Sequence, residues 1–259
     1  IIGNFYGQLS IIKQNTQSSI VGHIGGITAI DVSKEFEFIA TASFDHSIRI
    51  MDFKGQLIDS IVFNNGGILD LEIINNQQKL IVTCENSIVY LWNLKSKRYK
   101  SFKGHTNMVN VIDISKESDL FITGSRDSTI IIWNYNSKKE LKTRLKEHKG
   151  WITDVKISPD SQHFLSSSTD GSIILWDIYG NMIKKYLGHT DEVWNVCWIT
   201  NNSFVSSSRD NTCCIWDTNG DIKNLFSGNS SHLAEIKYNS ITKELHLFFL
   251  NGEERIYNI

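Results

Sequence analysis

One position recurs along this chain as Met51, Trp92, Trp133, Trp176, Trp216 and Tyr257, at intervals of 41, 41, 43, 40 and 41 residues. Six residues before each stands a short turn former: Asp45, Asn86, Asp127, Asp170, Asp210 and Asn251. Between these landmarks the apolar runs are four to seven residues long and rich in Val, Ile and Thr. Such runs favour short strands, and none is long enough for a good helix. The unit is clearest from Gly104 to Asn134. An apolar segment (Val109, Val111, Ile112, Ile114) leads to a polar turn, a second apolar segment runs from Leu120 to Gly124, and a tight turn at Arg126-Asp127 precedes a β-branched segment ending at Trp133. A unit of this size cannot bury its apolar faces alone, so a fixed period of about 40–45 residues implies stacked copies sharing one core. Length alone would allow one or two domains in 259 residues, and the repeat reduces this to one.

The stretch from Gly104-His105 to Trp133-Asn134 resembles a WD repeat. The resemblance implies an all-β chain folded as a seven-bladed WD-repeat β-propeller, four strands to a blade, with the first and last blades incomplete. The N-terminal run Tyr6 to Ile12 lines up with Asp170 to Trp176 and adds the seventh third-strand position. One domain over 1–259 then comprises a partial blade at 1–22, blades at about 23–62, 66–103, 104–146, 148–187 and 189–227, and a partial blade at 228–259. In the WD-repeat family an N-terminal segment commonly supplies the outer strand of the final blade. On that pattern roughly 20–30 residues upstream of Ile1 would complete the ring, and the chain reads as cut from a longer polypeptide.

Formal net charge is −2 and the isoelectric point near 6.5, so the overall balance exerts no pull toward nucleic acid or anionic membrane. Cys84, Cys197, Cys213 and Cys214 all fall in expected strands without a C-x-x-C pair, and read as core residues of a reducing compartment. The expected location is the cytoplasm, with the nucleus as the alternative. No metal site and no cofactor are expected, and no apolar run approaches the ~20 residues that span a bilayer.

His105, Ser125 and Asp127 invite a nucleophilic reading, as do His148, Ser168 and Asp170, and His189, Ser208 and Asp210. Repetition argues against it: a catalytic site is needed once, whereas this set recurs three times, each with a tryptophan (Trp133, Trp176, Trp216) six residues after the Asp. No catalytic residue is therefore assigned. The resemblance implies instead a buried network in which the Asp accepts from the His, the His contacts the Ser and the Ser reaches the Trp N–H. Such networks rigidify a core when fully satisfied. Blade two has Met51 in the tryptophan position, blade three has lost His and Asp, and blade seven carries Asn251 and Tyr257. Blades four to six are accordingly expected to be the stiffest.

Side chains free for recognition lie in loops and at strand ends. One such position precedes each turn residue (Phe5, Phe44, Glu85, Arg126, Thr169, Arg209, Leu250) and another opens each first strand (Thr28, Leu69, Asn110, Thr153, Trp194, Ala234). Met108, Trp151 and Glu192 lie two residues before the latter in blades four to six. In the WD-repeat family these positions ring the channel mouth and often hold peptides. The expected partner-binding residues are Arg126, Arg209, Trp151, Trp194, Met108 and Phe44, since Trp and Arg concentrate in binding hot spots. The function this supports is a non-catalytic scaffold for protein–protein interaction within a larger intracellular complex. The alternative is RNA or anionic phospholipid on a basic rim formed by Lys95, Lys97, Arg98, Lys100 and Lys103 of blade three with Lys138, Lys139, Lys142, Arg144, Lys146 and Lys149 of blade four. Lysines on exposed strand edges also discourage aggregation, which is the plainer explanation of that stripe.

Overall fold

The computed structural model describes residues 2–3, 8–13, 16–64, 66–74, 77–137, 143–227, 233–249 and 253–259. Tyr6-Gly7, Phe5, Leu250, Asn251, Lys138, Lys139 and Lys142 lie outside them. The described residues are all-β and form seven sheets, each of consecutive strands. Sheet one has three strands, β1 (Ile2–Gly3), β2 (Gln8–Lys13) and β3 (Thr16–Val21). Five four-stranded sheets follow. Sheet two holds β4 (Ile27–Ser33), β5 (Phe38–Ser43), β6 (Ser47–Asp52) and β7 (Leu57–Val62). Sheet three holds β8 (Ile68–Ile74), β9 (Lys79–Cys84), β10 (Ile88–Asn93) and β11 (Arg98–Lys103). Sheet four holds β12 (Val109–Ile114), β13 (Leu120–Ser125), β14 (Ile130–Asn134) and β15 (Thr143–Leu145). Sheet five holds β16 (Ile152–Ile157), β17 (His163–Ser168), β18 (Ile173–Asp177) and β19 (Met182–Tyr186), and sheet six β20 (Val193–Thr200), β21 (Ser203–Ser208), β22 (Thr212–Asp217) and β23 (Ile222–Ser227). Sheet seven has three strands, β24 (Leu233–Asn239), β25 (Glu244–Phe249) and β26 (Glu254–Asn258). The chain divides into two compact units, residues 1–112 and 113–259.

The periodic tryptophan is a packing residue of the third strand. Trp176 sits opposite Phe164 in register and stacks on it at 5.8 Å with the planes 9° apart, and Phe121–Trp133 and Phe204–Trp216 repeat the pair. These pairs bury the largest side chains of the core. In the second unit Phe204 and Trp216 of sheet six pack against Leu165, Ile173, Leu175 and Tyr186 of sheet five. In the first unit Leu80, Val82 and Tyr90 of sheet three meet Ile48, Ile50 and Ile61 of sheet two. In both of these pairs the tryptophan-bearing face of the later sheet covers the opposite face of the sheet before it.

First strands are also tied together by polar groups that the sequence patterns did not single out. Asp31 accepts from Ile73 N–H at 2.8 Å and Asp70 from Ile112 N–H at 3.0 Å in the first unit; Asp113 accepts from Ile157 N–H at 2.5 Å and Asp154 from Val196 N–H at 3.0 Å in the second. Each bond joins neighbouring sheets, satisfying an amide that no strand partner reaches. Cys84, Cys213 and Cys214 are buried and Cys197 is partly buried. Burial pushes all four thiols up, Cys84 to about 12 and Cys214 to about 11, so none is a reactive thiolate at neutral pH.

Candidate functional site

Two constellations compete for a functional reading: the His–Asp sets and the aromatic and arginine side chains at the strand ends. The first begins at a three-residue hairpin loop, Phe44-Asp45-His46 in sheet two and its equivalents Arg126-Asp127-Ser128, Thr169-Asp170-Gly171 and Arg209-Asp210-Asn211. Its last residue adopts a positive φ, between 64° and 79°. That is the geometry of a turn closed by a left-handed residue, which Gly and Asn accept readily. The Asp turns back on its own loop: Asp170 Oδ1 accepts from Ser172 N–H at 3.0 Å and Ser172 Oγ at 2.5 Å, while Oδ2 accepts from Lys149 N–H at 2.8 Å. Ser47, Thr129 and Thr212 repeat the hydroxyl bond at 2.6 Å. This hydroxyl two residues after the Asp was visible in the sequence as D-x-[ST].

The histidine lies between that carboxylate and a buried hydroxyl. His148 Nδ1 is 3.2 Å from Asp170 Oδ2, His148 Nε2 is 2.8 Å from Ser166 Oγ, and Trp176 Nε1–H donates to Ser166 Oγ at 2.9 Å. Sheet six repeats this through His189, Asp210, Ser206 and Trp216 at 2.9, 2.7 and 2.8 Å. One proton assignment satisfies every group: the indole gives to the hydroxyl, the hydroxyl to Nε2, and Nδ1–H to the carboxylate. The hydroxyl corrects the sequence expectation. It belongs to Ser166, Ser206 and, for Trp133 at 2.8 Å, Thr123, and not to Ser168, Ser208 or Ser125. Both candidates face the same side of the strand, but Ser166 is the diagonal neighbour of Trp176, whereas Ser168 lies four residues from Phe164, about 13 Å along the strand. Ser168 and Ser208 instead accept from the N–H of Asp170 and Asp210, both at 3.1 Å, and Ser125 from that of Asp127 at 3.1 Å.

Sheet three shows what loss of this network leaves. Val82 occupies the place of Thr123, Ser166 and Ser206, and Trp92 Nε1 is, among the described residues, a buried donor without an acceptor. An unsatisfied buried donor costs about 1–3 kcal/mol. Val82→Thr, close to isosteric, is therefore expected to raise stability by about 1 kcal/mol in urea unfolding, where Val→Thr in an ordinary core would lower it.

The second constellation lies in residues 113–259 at the ends of adjacent sheets. The Arg126 guanidinium lies 4.7 Å above the Trp151 ring, and Trp151 is 48% exposed. Gly150 allows this approach, since a Cβ there would come within 2.7 Å of Asp170 N and 2.4 Å of Thr169 Oγ1. Trp151 N–H donates to Thr169 Oγ1 at 2.9 Å. On sheet six Glu192 receives Trp194 Nε1–H at 3.3 Å on one oxygen and Arg209 Nη1 at 3.4 Å on the other. Trp194 stands on a β-bulge between Val193 and Asn195. Thr153, at the same bulge of β16, points to the next sheet and donates to Val193 O at 2.6 Å. Bulges re-aim side chains at sheet ends, and the alternation pattern does not reveal them. Phe44, 45% exposed at its turn, and the partly buried Met108 belong to the other unit. Of the basic stripe, Lys97 is drawn to Asp59 and Lys100 lies 4.6 Å over the Phe102 ring.

The WD40 family, described as WD domain, G-beta repeat, matches residues 14–52, 96–134, 138–177 and 180–217, more than half of the chain. The chain belongs to the WD40 family. Each matched WD40 segment ends within a residue of the third-strand landmark, and β8, β9 and β10 of sheet three, with the orphaned Trp92 indole, fall between matched segments. Autophagy-related protein 16 of Arabidopsis thaliana is 27% identical over 128 residues, covering 48% of this chain and 25% of that protein. Nuclear distribution protein nudF 1 of Talaromyces marneffei is 25% identical over 136 residues, covering 51% and 30%. Target of rapamycin complex subunit LST8 of Saccharomyces cerevisiae is 27% identical over 100 residues, covering 37% and 33%. The matches span between 25% and 39% of the length of these relatives and others like them. Among the described residues, no helix is long and apolar enough to cross a membrane.

Proposed function

We propose that this WD40 chain is a non-catalytic scaffold that holds protein partners within a larger intracellular complex, its seven sheets serving as the blades of one propeller over residues 1–259. One relative is by name a complex subunit, which fits this role. The observation that carries the reading is the half-exposed Trp151 with Arg126 stacked on it, together with the Trp194–Glu192–Arg209 group. A large aromatic left in solvent and held by a cation is a rigid anchor that a partner can desolvate at little entropic cost. The His–Asp sets of sheets two, five and six are engaged in bonds that brace those sheets, and a hydrolase would need the same groups free for chemistry. Phe44 and Met108 are assigned to partner contact on their positions in the repeat. The salt-sensitive binding of RNA or anionic lipid has less behind it, since Lys97 and Lys100 are engaged within the protein.

The test is selection of binders from a phage-displayed peptide library. Trp151→Ala is expected to weaken selected peptides at least tenfold, or by about 1.4 kcal/mol, with the thermal midpoint shifted by no more than about 2 °C. Peptides that bind Trp151→Ala and Arg209→Ala as well as wild type would contradict it.

A further inference from the structure

The outer strand of sheet two differs from those of sheets three to six. Outer strands β11, β15, β19 and β23 each carry Lys or Arg, which discourages an added strand, while β7 (LIDSIV) carries neither. Leu57, Ile58 and Val62 of β7 are exposed, Val62 by 69%. Phe63 N–H donates to His46 O at 2.8 Å, and the antiparallel register continues through Ile48↔Ile61 and Ile50↔Asp59. The alternation then turns the N–H and C=O of Ser60 and Val62 away from β6. No described strand pairs with β7 on that side.

Beside this edge lies a cleft of roughly 280 Å³ lined by Ile24, Asp45, Ser47, Arg49, Leu57, Ser60 and Val62. β6 departs from the repeat at two positions, of which Arg49 lines the cleft. Met51 stands where sheets three to six have tryptophan, and Arg49 stands where sheets four, five and six bury Ile131, Ile174 and Cys214. Among the described residues the half-buried Arg49 makes no ion pair and no side-chain hydrogen bond, although Asp45 also borders the cleft. Asp45 is already saturated: Oδ1 accepts from Ser47 N–H and Oγ, and Oδ2 from Ile24 N–H and His23. The other nearby acid, Asp59, projects from the opposite face and is held by Lys97.

We infer that β7 and the Arg49 cleft form a second docking site, which takes an extended, apolar peptide segment bearing a carboxylate. The segment adds a strand to β7 through the outward groups of Ser60 and Val62, lays apolar side chains against Ile24, Leu57 and Val62, and places its carboxylate on Arg49. Strand addition supplies the main-chain bonds and the unpaired guanidinium supplies the choice of charge. This site is separate from the Trp151 surface, and neither depends on the other.

The test uses three nine-residue synthetic peptides that alternate valine and threonine: one with a central glutamate, one with a central lysine, and the glutamate peptide with alternate amides N-methylated. Fluorescence anisotropy against the full chain is expected to show the glutamate peptide binding at least tenfold more tightly than the lysine peptide, and the N-methylated peptide not binding. Arg49→Gln should abolish the preference for glutamate, and Val62→Lys should abolish binding without moving the thermal midpoint. Ser60→Lys, fully on the surface edge, repeats that test if Val62→Lys misfolds. Equal binding of the glutamate and lysine peptides, or glutamate-peptide binding that survives Val62→Lys or Ser60→Lys, overturns the inference. So does self-association of the chain that these variants abolish while no peptide binds, which would make β7 a contact between copies.

Discussion

Trp176→Ala is expected to cost about 3–5 kcal/mol of stability, measured as the shift in urea unfolding. The indole is 1% exposed, stacks on Phe164 at 5.8 Å and donates to Ser166 at 2.9 Å. Truncation therefore opens a cavity the size of a bicyclic ring between sheets and removes the only donor-only member of the network. Trp176→Phe separates the two effects. It keeps a ring against Phe164 and loses the N–H together with a smaller volume than alanine does, so its cost should be about 2–3 kcal/mol. Trp151→Ala, which removes an equally large side chain from the surface, should stay within about 0.5 kcal/mol of wild type. If Trp151→Ala and Trp176→Ala were equally damaging, the division between bracing and recognising residues would be wrong.

Asp170→Ala is expected to cost about 3 kcal/mol or more, because it strips the acceptor from several donors at once. The N–H groups of Lys149 and Ser172, the Ser172 hydroxyl and His148 all converge on this carboxylate. The pH dependence follows from the same bonds. Burial favours the neutral acid, but the bonds from His148, Ser172 and Lys149 N–H outweigh it and hold the Asp170 carboxyl well below its usual range. Against the same burial, Ser47, Ile24 N–H and His23 hold Asp45 at about 2, and Asp210 is lowered by Thr212, Thr190 N–H and His189. A carboxyl with a depressed folded pKa binds its proton more readily in the unfolded chain. Its contribution is present above the unfolded value of 3.8 and is lost as pH falls toward about 2. The urea midpoint of the wild type should therefore fall steeply between about pH 4 and pH 2, and Asp170→Ala should make that fall shallower. An unchanged slope in the variant would show that this carboxylate is not part of the acid-sensitive set.

The strands were legible in the sequence because each is a short Val- and Ile-rich run closed by an Asp turn. Sheet two occupies 27–33, 38–43, 47–52 and 57–62, within the blade expected at about 23–62. The histidine, aspartate and tryptophan positions of the network were legible through the resemblance to a WD repeat. Its hydroxyl was not, since Ser166 and Ser168 share a face and only the reach of the Trp176 indole across two strands separates them. The Asp31, Asp70, Asp113 and Asp154 bonds were invisible because each spans 42 or 44 residues and depends on how sheets pack. The exposure of Trp151 depends on the close approach of Gly150 to the Thr169-Asp170 turn, which no periodicity reports.

Native-state hydrogen exchange, read strand by strand, tests most directly whether the repeated histidine–hydroxyl–indole network braces these sheets. The amides of β17, β18, β21 and β22, whose sheets hold complete networks, should exchange at least tenfold more slowly than those of β9 and β10, where Trp92 is left without an acceptor, a difference of about 1.4 kcal/mol in opening free energy. Equal protection in β9, β10, β17 and β18 would show that apolar packing alone sets the stability of the sheets.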